Sequence, residues 1–127
     1  MILLNGESLA YLGDAIYELE IRKYLLNTTH ITDVNKLHKE AIKFTSGASQ
    51  AKIMLHFLEM NFLNEAELSF YKRGRNSNHS KNRRNISVQA YKMATGFEAL
   101  IGYLYLNNLK ERITEVIKEA IKYIMEG

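Results

Sequence analysis

The chain has 127 residues, of which 46% are hydrophobic and 24% are charged, and it contains no cysteine. This length suits one ordinary domain, and the composition argues against a disordered or fibrous chain. Without cysteine, a disulfide framework, a thiol nucleophile and a thiolate metal site are excluded. The N-terminus lacks the features of a signal peptide and no apolar run is long enough to span a membrane, so we expect one cytoplasmic domain over residues 1–127.

Apolar residues recur with helical spacing along the chain, and proline is absent. We therefore predict an all-α fold. Asn5 is expected to cap a first helix that runs to about Leu26 and has apolar residues on two sides, which predicts a central position. One of these faces comprises Leu9, Leu12, Ile16 and Leu19, and the other comprises Ala10, Tyr17, Ile21 and Tyr24.

Three shorter helices are predicted next. Thr32 is expected to cap the second helix, and the third is expected from about Ala48 to Asn61. Asn64, followed three residues later by Glu67, forms a capping-box pattern that begins a fourth helix, predicted to end at Tyr71. The core candidates of the second and third helices are Val34, Leu37, Ala41, Phe44, Ile53, Leu55 and Leu58.

A basic, polar segment precedes the last two helices. Residues 72–84 contain six Lys or Arg side chains and no acid, although the net charge of the whole chain is only +3. Such a segment is either simply solvated or binds a polyanion. Ser87 is then expected to cap a long helix to Leu106. A last amphipathic helix carries Leu109, Ile113, Val116, Ala120 and Ile124 on one face.

Two carboxylates stand alone in otherwise uncharged helical segments. Asp14 is the only charged residue in residues 8–17, and Glu98 is the only one in residues 93–106. Removing a carboxylate from water is costly unless a cation or hydrogen-bond donors compensate it. Each acid either pairs with a basic side chain or reaches solvent, or both acids meet at one divalent cation. Their hard oxygen atoms would suit magnesium, which polarises phosphates and generates hydroxide from water.

The segments around these acids resemble motifs of the ribonuclease III family. LAYLGDAIYELEIRKYL at 9–25 resembles its signature helix, and FEALIGYLYL at 97–106 resembles its second acidic motif. TSGASQAKI at 45–53 and KRGRN at 72–76 are similar to the short bacterial branch, Mini-ribonuclease III. The resemblance covers nearly the whole chain, and it implies a homodimeric all-α endonuclease domain without a double-stranded RNA-binding domain.

The resemblance implies a magnesium-dependent endoribonuclease that cuts double-stranded RNA, with Asp14 and Glu98 as catalytic residues and metal ligands and with Mn²⁺ as a substitute ion. The implied products carry a 5′-phosphate and a 3′-hydroxyl, and the implied substrate is precursor 23S ribosomal RNA. Long-form members have two further acids where this chain has Ala10 and Thr95. Tyr11 corresponds to an aromatic residue that packs into the partner subunit, or is an ordinary half-buried tyrosine.

The basic segment is the expected RNA-binding element, because A-form RNA is recognised largely by shape, through phosphates and 2′-hydroxyls. The four histidines are too widely spaced for a short metal-binding motif, and no glycine-rich phosphate loop is present. Two alternatives to a nuclease remain: a catalytically silent double-stranded RNA-binding protein of the same fold, and a helical interaction module with structural acids. The residues expected to contact RNA are Lys72, Arg73, Arg75, Lys81, Arg83 and Arg84.

Overall fold

The structure, a computed structural model, describes residues 4–77 and 86–127, and within these ranges its regular elements are all α-helices. The all-α prediction is therefore confirmed. None of the helices in these two ranges is long and apolar enough to cross a membrane. In chain order the helices are α1 (Gly6–Thr28), α2 (Val34–Thr45), α3 (Gly47–Glu59), α4 (Glu65–Arg75), α5 (Val88–Leu106) and α6 (Lys110–Glu126).

Polar side chains cap most of these helices at their first turn. The predicted caps Asn5 and Ser87 are confirmed, since their side chains accept hydrogen bonds from backbone N–H groups three residues later. The capping box of Asn64 and Glu67 is also present. The cap predicted for α2 at Thr32 is wrong, because the next residue, Asp33, accepts the bond from the Lys36 backbone and a carboxylate caps as well as a hydroxyl.

The fourth helix continues four residues beyond its predicted end at Tyr71 and includes the basic residues Lys72, Arg73 and Arg75. Lys and Arg are good helix formers, and their charges are favourable at a helix C-terminus. Gly74 lets this last turn approach α5, because a Cβ atom there would lie 2.6 Å from the Cβ of Ala99. The first half of the basic segment is therefore helical, whereas Lys81, Arg83 and Arg84 lie outside the described residues.

Helix α5 lies at the centre of the molecule and packs against α1, α3 and α4. Its side chains Phe97 and Leu100 join Tyr17 and Ile21 of α1 in the main hydrophobic core. The first face predicted for α1 is only partly buried, and its residue Leu19 is 52% exposed. Since α1 is apolar on two sides, periodicity alone could not decide which side meets α5. Leu55, a predicted core residue of α3, is likewise exposed.

An ion pair between the buried Glu67 and the partly buried Arg112 attaches α6 to α4. The carboxylate of Glu67 accepts hydrogen bonds from Arg112 at 2.8 and 2.9 Å, and Arg112 also donates to the carbonyl oxygen of Phe62. Burial by itself would raise the pKa of Glu67, but the bonds from Arg112 and from the Asn64 backbone, together with the Arg112 charge, outweigh it and lower the pKa. The capping-box carboxylate is thus compensated as an anion.

Helices α1 and α5 touch through their backbones where glycine faces glycine. A Cβ atom on Gly13 would overlap the carbonyl oxygen of Glu98 and lie 2.9 Å from the backbone nitrogen of Gly102. A Cβ atom on Gly102 would in turn overlap the carbonyl oxygen of Leu9. This close approach places the residue after Gly13, Asp14, on the α1 side of the contact and Glu98 on the α5 side.

Candidate active site

An open cavity of about 330 Å³ lies between the N-terminal half of α1 and the first half of α5. Asp14 and Glu98, which are 84 positions apart in the sequence, both line it. Ala10 and Thr95, which stand where long-form family members would carry acids, line the same cavity. The structure therefore brings together the four positions that the sequence analysis singled out for their chemistry. The complete lining is Glu7, Ala10, Tyr11, Asp14, Tyr91, Thr95 and Glu98.

The two acids occupy different environments within this cavity. Glu98 is buried, with 8% of its surface exposed, and the side-chain amide of Gln50 lies 3.5 Å from its Oε2 atom. Asp14 is exposed and lines the opening of the cavity. The side chain of an α1 residue at this position projects past Ala10, whose methyl group is too small to cover it. The site thus has an inner and an outer carboxylate.

Two further side chains in the cavity were missed by the sequence analysis. Glu7 lies seven residues before Asp14 on α1, a spacing that places both on the same face of the helix. This spacing was visible in the sequence, but Glu7 lies near the predicted helix cap, where acids are common. Tyr91 is buried in the cavity wall, and its carbonyl oxygen accepts a hydrogen bond from the Thr95 hydroxyl. Nothing in the sequence distinguished Tyr91 from an ordinary core tyrosine.

The donor atoms in the cavity fit a hard divalent cation. Asp14 and Glu98 offer carboxylate oxygens, and the Thr95 hydroxyl lies in the same wall. Among residues 4–77 and 86–127, no group of three or more Asp, Glu or His side chains is close enough to hold an ion. An ion bound by these two acids would therefore take its other ligands from water and substrate. Magnesium commonly binds in this way, through one or two carboxylates.

The basic end of α4 lies directly beside the carboxylate cavity. A second cleft, of about 450 Å³, is lined by Arg73, Asn76 and Asn5 and shares Glu7 with the first cavity. Arg73 is exposed, and its guanidinium group lies 4.8 Å from the centre of the Phe70 ring. Phe70 in turn stacks on Tyr103 with ring centres 4.1 Å apart. Arg73 is thus supported by two aromatic rings next to the acids.

Tyr11 lies at the rim of the carboxylate cavity and is 85% exposed. The alternative expectation, that Tyr11 is an ordinary half-buried tyrosine, does not hold in this single chain. Tyrosine combines a large apolar ring with a polar hydroxyl group, and for this reason it is enriched at protein interfaces. Its exposure beside the site is compatible with a contact to a second subunit.

The comparisons with known proteins agree with this architecture. Residues 7–109 match the family described as the Ribonuclease III domain. Mini-ribonuclease 3 of Acholeplasma laidlawii is 47% identical over 124 residues, which cover 98% of this chain and 97% of that protein. Mini-ribonuclease 3 of Clostridium tetani is 44% identical, with 98% and 81% covered. A crystal structure of a Fusobacterium nucleatum protein superposes with a TM-score of 0.81 at 36% identity, covering 93% of this chain and 92% of that one.

These matches define a helical nuclease domain of the ribonuclease III class. The chain belongs to the ribonuclease III family, and within it to the branch of the Mini-ribonuclease 3 proteins. The resemblance read from the sequence motifs is therefore confirmed. The family match begins at Glu7 and includes Asp14 and Glu98.

Proposed function

We propose that this protein is an endoribonuclease that cleaves double-stranded RNA with the help of magnesium bound by Asp14 and Glu98. The observation that carries the proposal is the shared cavity: two acids from distant parts of the chain line one open site beside a basic helix end. Membership of the ribonuclease III family supports the same activity. One catalytic domain spanning residues 1–127 would contain the site and the RNA contacts.

Each carboxylate has a separate task in this proposal. Glu98 is buried and held in place by its surroundings, so it would fix the position of the ion. Asp14 is exposed at the opening, where it would reach both the ion and its water ligands. A bound magnesium ion would polarise the substrate phosphate and generate hydroxide from water at neutral pH. In-line attack on phosphorus would leave a 5′-phosphate and a 3′-hydroxyl.

The basic residues would hold the RNA against this site. Lys72, Arg73 and Arg75 follow one another at the end of α4, and Arg73 lines the cleft that adjoins the acids. Their positive charges attract phosphates, and the adjacent Asn76 adds hydrogen-bonding groups. Lys81, Arg83 and Arg84, which lie outside the described residues, are proposed as further RNA contacts on the basis of their charge. The sugar-phosphate backbone of a duplex held along these residues would lie beside the carboxylate cavity.

A homodimer is part of the proposal, because a duplex has two strands to cut. Two sites related by a two-fold axis can each cut one strand of a duplex whose own symmetry matches. Tyr11, exposed at the cavity rim, is the side chain that we assign to the partner contact. Light scattering on the purified protein measures the subunit number directly.

The biological substrate that we propose is the precursor of 23S ribosomal RNA. This assignment rests on the similarity to the Mini-ribonuclease 3 branch, to which the sequence motifs and the curated relatives both point. We place the protein in the cytoplasm, where the precursor is made. Manganese is expected to replace magnesium, since both are hard ions that accept oxygen ligands.

The proposal is tested by incubating the purified protein with a structured RNA duplex, first with Mg²⁺ and then with excess chelator. We expect cleavage only with the metal. In Asp14→Asn and in Glu98→Gln, cleavage should fall by at least about a hundredfold, because each amide removes a charged ligand. Duplex binding, measured by gel shift in chelator, should remain within about twofold, since the phosphate contacts lie elsewhere.

The alternative is a catalytically silent double-stranded RNA-binding protein. It predicts duplex binding without cleavage under any metal condition. Cleavage that persists in chelator, or an Asp14→Asn variant with normal activity, would contradict the two-carboxylate mechanism. Glu59→Gln is a matched control, since this exposed acid lies at the end of α3 and outside the lining of the cavity.

A further inference from the structure

Gln50 is a buried polar residue whose side chain approaches the carboxylate of Glu98. It lies near the N-terminus of α3, and only 3% of its surface is exposed. Glutamine is usually exposed, because burying its amide without hydrogen-bond partners is costly. Gln50 does not line the carboxylate cavity among the described residues, but its Nε2 atom lies 3.5 Å from the Oε2 atom of Glu98.

The orientation of the Gln50 amide is determined by its neighbours. Its Nε2 atom also donates to the backbone carbonyl oxygen of Thr45, at 3.3 Å. A backbone carbonyl and an ionised carboxylate are both acceptors only, so the nitrogen, and not the oxygen, of the amide must face them. The backbone of Gln50 is itself fixed, since its N–H donates to the Ser46 carbonyl oxygen at 2.9 Å. One amide group thus links the end of α2 to the inner carboxylate on α5.

We propose that Gln50 is a positioning residue that orients Glu98 for metal binding, an inference that rests on the proposed function. A carboxylate that binds metal through one edge needs its remaining lone pairs held by donors, because otherwise it rotates freely and pairs with other groups. Donors of this kind act by orienting the ligand and by tuning its basicity. Gln50 supplies such a donor to Glu98 without adding charge to the cavity.

The proposal predicts a specific loss of metal affinity when the donor is removed. Gln50→Met keeps the length and approximate volume of the side chain but has no N–H group. Mn²⁺ alone, titrated into the RNA-free protein and followed by calorimetry, should bind about 10- to 100-fold more weakly to the variant, the range typical for losing a donor to a metal ligand. In the cleavage assay, the half-saturating Mg²⁺ concentration should rise similarly, while the KM for duplex RNA changes little.

A structural hydrogen bond at the same corner of the fold provides the control. The Tyr17 hydroxyl donates to the Phe44 carbonyl oxygen at 3.0 Å, one residue before the carbonyl that Gln50 contacts. Tyr17→Phe removes this buried bond without touching Glu98. It should lower the melting temperature but leave the Mn²⁺ affinity unchanged, whereas Gln50→Met should change the affinity even where the melting temperatures of the two variants match.

A second measurement detects the contact in the wild-type protein itself. In the wild-type protein, the NMR signals of the Gln50 side-chain amide should shift on addition of diamagnetic Mg²⁺, with the midpoint of overall metal binding. They should not shift in Glu98→Gln. Unchanged amide signals in the wild type, or a Gln50→Met affinity within about threefold of wild type and so below the expected range, would overturn the assignment.

These outcomes separate the two proposals. A wild-type protein that binds no Mn²⁺ and cuts no duplex would end the proposed function, and the role of Gln50 with it. A wild-type protein that cuts with metal, loses cleavage in Glu98→Gln and keeps its metal affinity in Gln50→Met would end only the role of Gln50.

Discussion

The side chain of Arg73, a surface residue, is positioned by a neighbouring aromatic ring without any ligand. Its guanidinium group lies over Phe70, which stacks on Tyr103, with the two rings inclined by only 13°. Arginine stacked on an aromatic ring loses less side-chain entropy on binding than a free one, and its planar fork matches phosphate geometry. The guanidinium group of Arg73 is therefore a partly ordered cation in the wall of the cleft that Glu7 also lines.

Arg73→Gln should weaken duplex RNA binding regardless of the RNA sequence. The loss of one phosphate contact is expected to reduce the slope of log affinity against log salt by about one. Fluorescence anisotropy at several salt concentrations in chelator measures both quantities. Lys122→Gln makes the same charge change on an exposed face of α6 and should leave the slope unchanged. An equal effect of the two substitutions would mean that overall charge, and not this cleft, attracts the RNA.

For single residues, the sequence was informative where a residue type was unusual for its surroundings. Asp14 and Glu98 could be selected because acids are rare in apolar helical segments. Gln50 and Tyr91 could not, because a glutamine or tyrosine within a helix is ordinary and only the folded chain shows that each is buried near the site. The ion pair of Arg112 could not be predicted either, because its partner Glu67 is 45 positions away in the sequence.

At the scale of helices, the distance between α1 and α5 is set by glycine. Gly13 and Gly102 each face the backbone of the opposite helix. A methyl group added at either position would clash with backbone atoms, and no side-chain rotation could relieve that clash. This packing places Asp14 and Glu98 on the walls of one cavity. The geometry of the candidate site is therefore a consequence of two small residues that carry no chemistry of their own.

Gly13→Ala should lower both stability and activity. Alanine favours the helix by up to about 1 kcal/mol. The clash of its Cβ with the Glu98 carbonyl has to be relieved by moving backbone, at a cost of about 1–3 kcal/mol, typical of overpacking. We expect chemical denaturation to show a net loss of stability and the cleavage rate to fall, because Asp14 moves away from Glu98.

Asn27→Ala is the matched control for this substitution. It adds an alanine at an exposed position of the same helix, about 20 Å from Gly13 along the helix axis. Its stability and cleavage rate should stay close to those of wild type. Should Gly13→Ala behave in the same way, the backbone contact between α1 and α5 would not determine the geometry of the site.

Sequence patterns located the helices well and their exact limits less well. Caps such as Asn5 and Ser87 are local signals, so they could be read directly. The end of α4 could not, because Lys72 to Arg75 resembles a solvated loop in composition and is helical through its packing on α5. The buried side of α1 was likewise undecided, because that choice depends on which helix packs against it.

At the scale of the whole molecule, the candidate site depends on contacts between distant parts of the chain. Asp14 comes from the first helix, Glu98 from the fifth and Gln50 from the third. No local pattern encodes such a meeting. The isolation of the two acids in apolar segments made their convergence one of several alternatives, and the resemblance to a family then favoured it. The fold then brought both acids to one cavity, with basic residues at its edge.

Anomalous diffraction from crystals soaked in Mn²⁺ shows whether Asp14 and Glu98 together bind one divalent ion. We expect a manganese peak in the cavity, within coordination distance of a carboxylate oxygen from each residue, and no such peak in Glu98→Gln crystals. Manganese bound at other acids, with no peak in this cavity in the wild-type crystals, would contradict the proposed metal site.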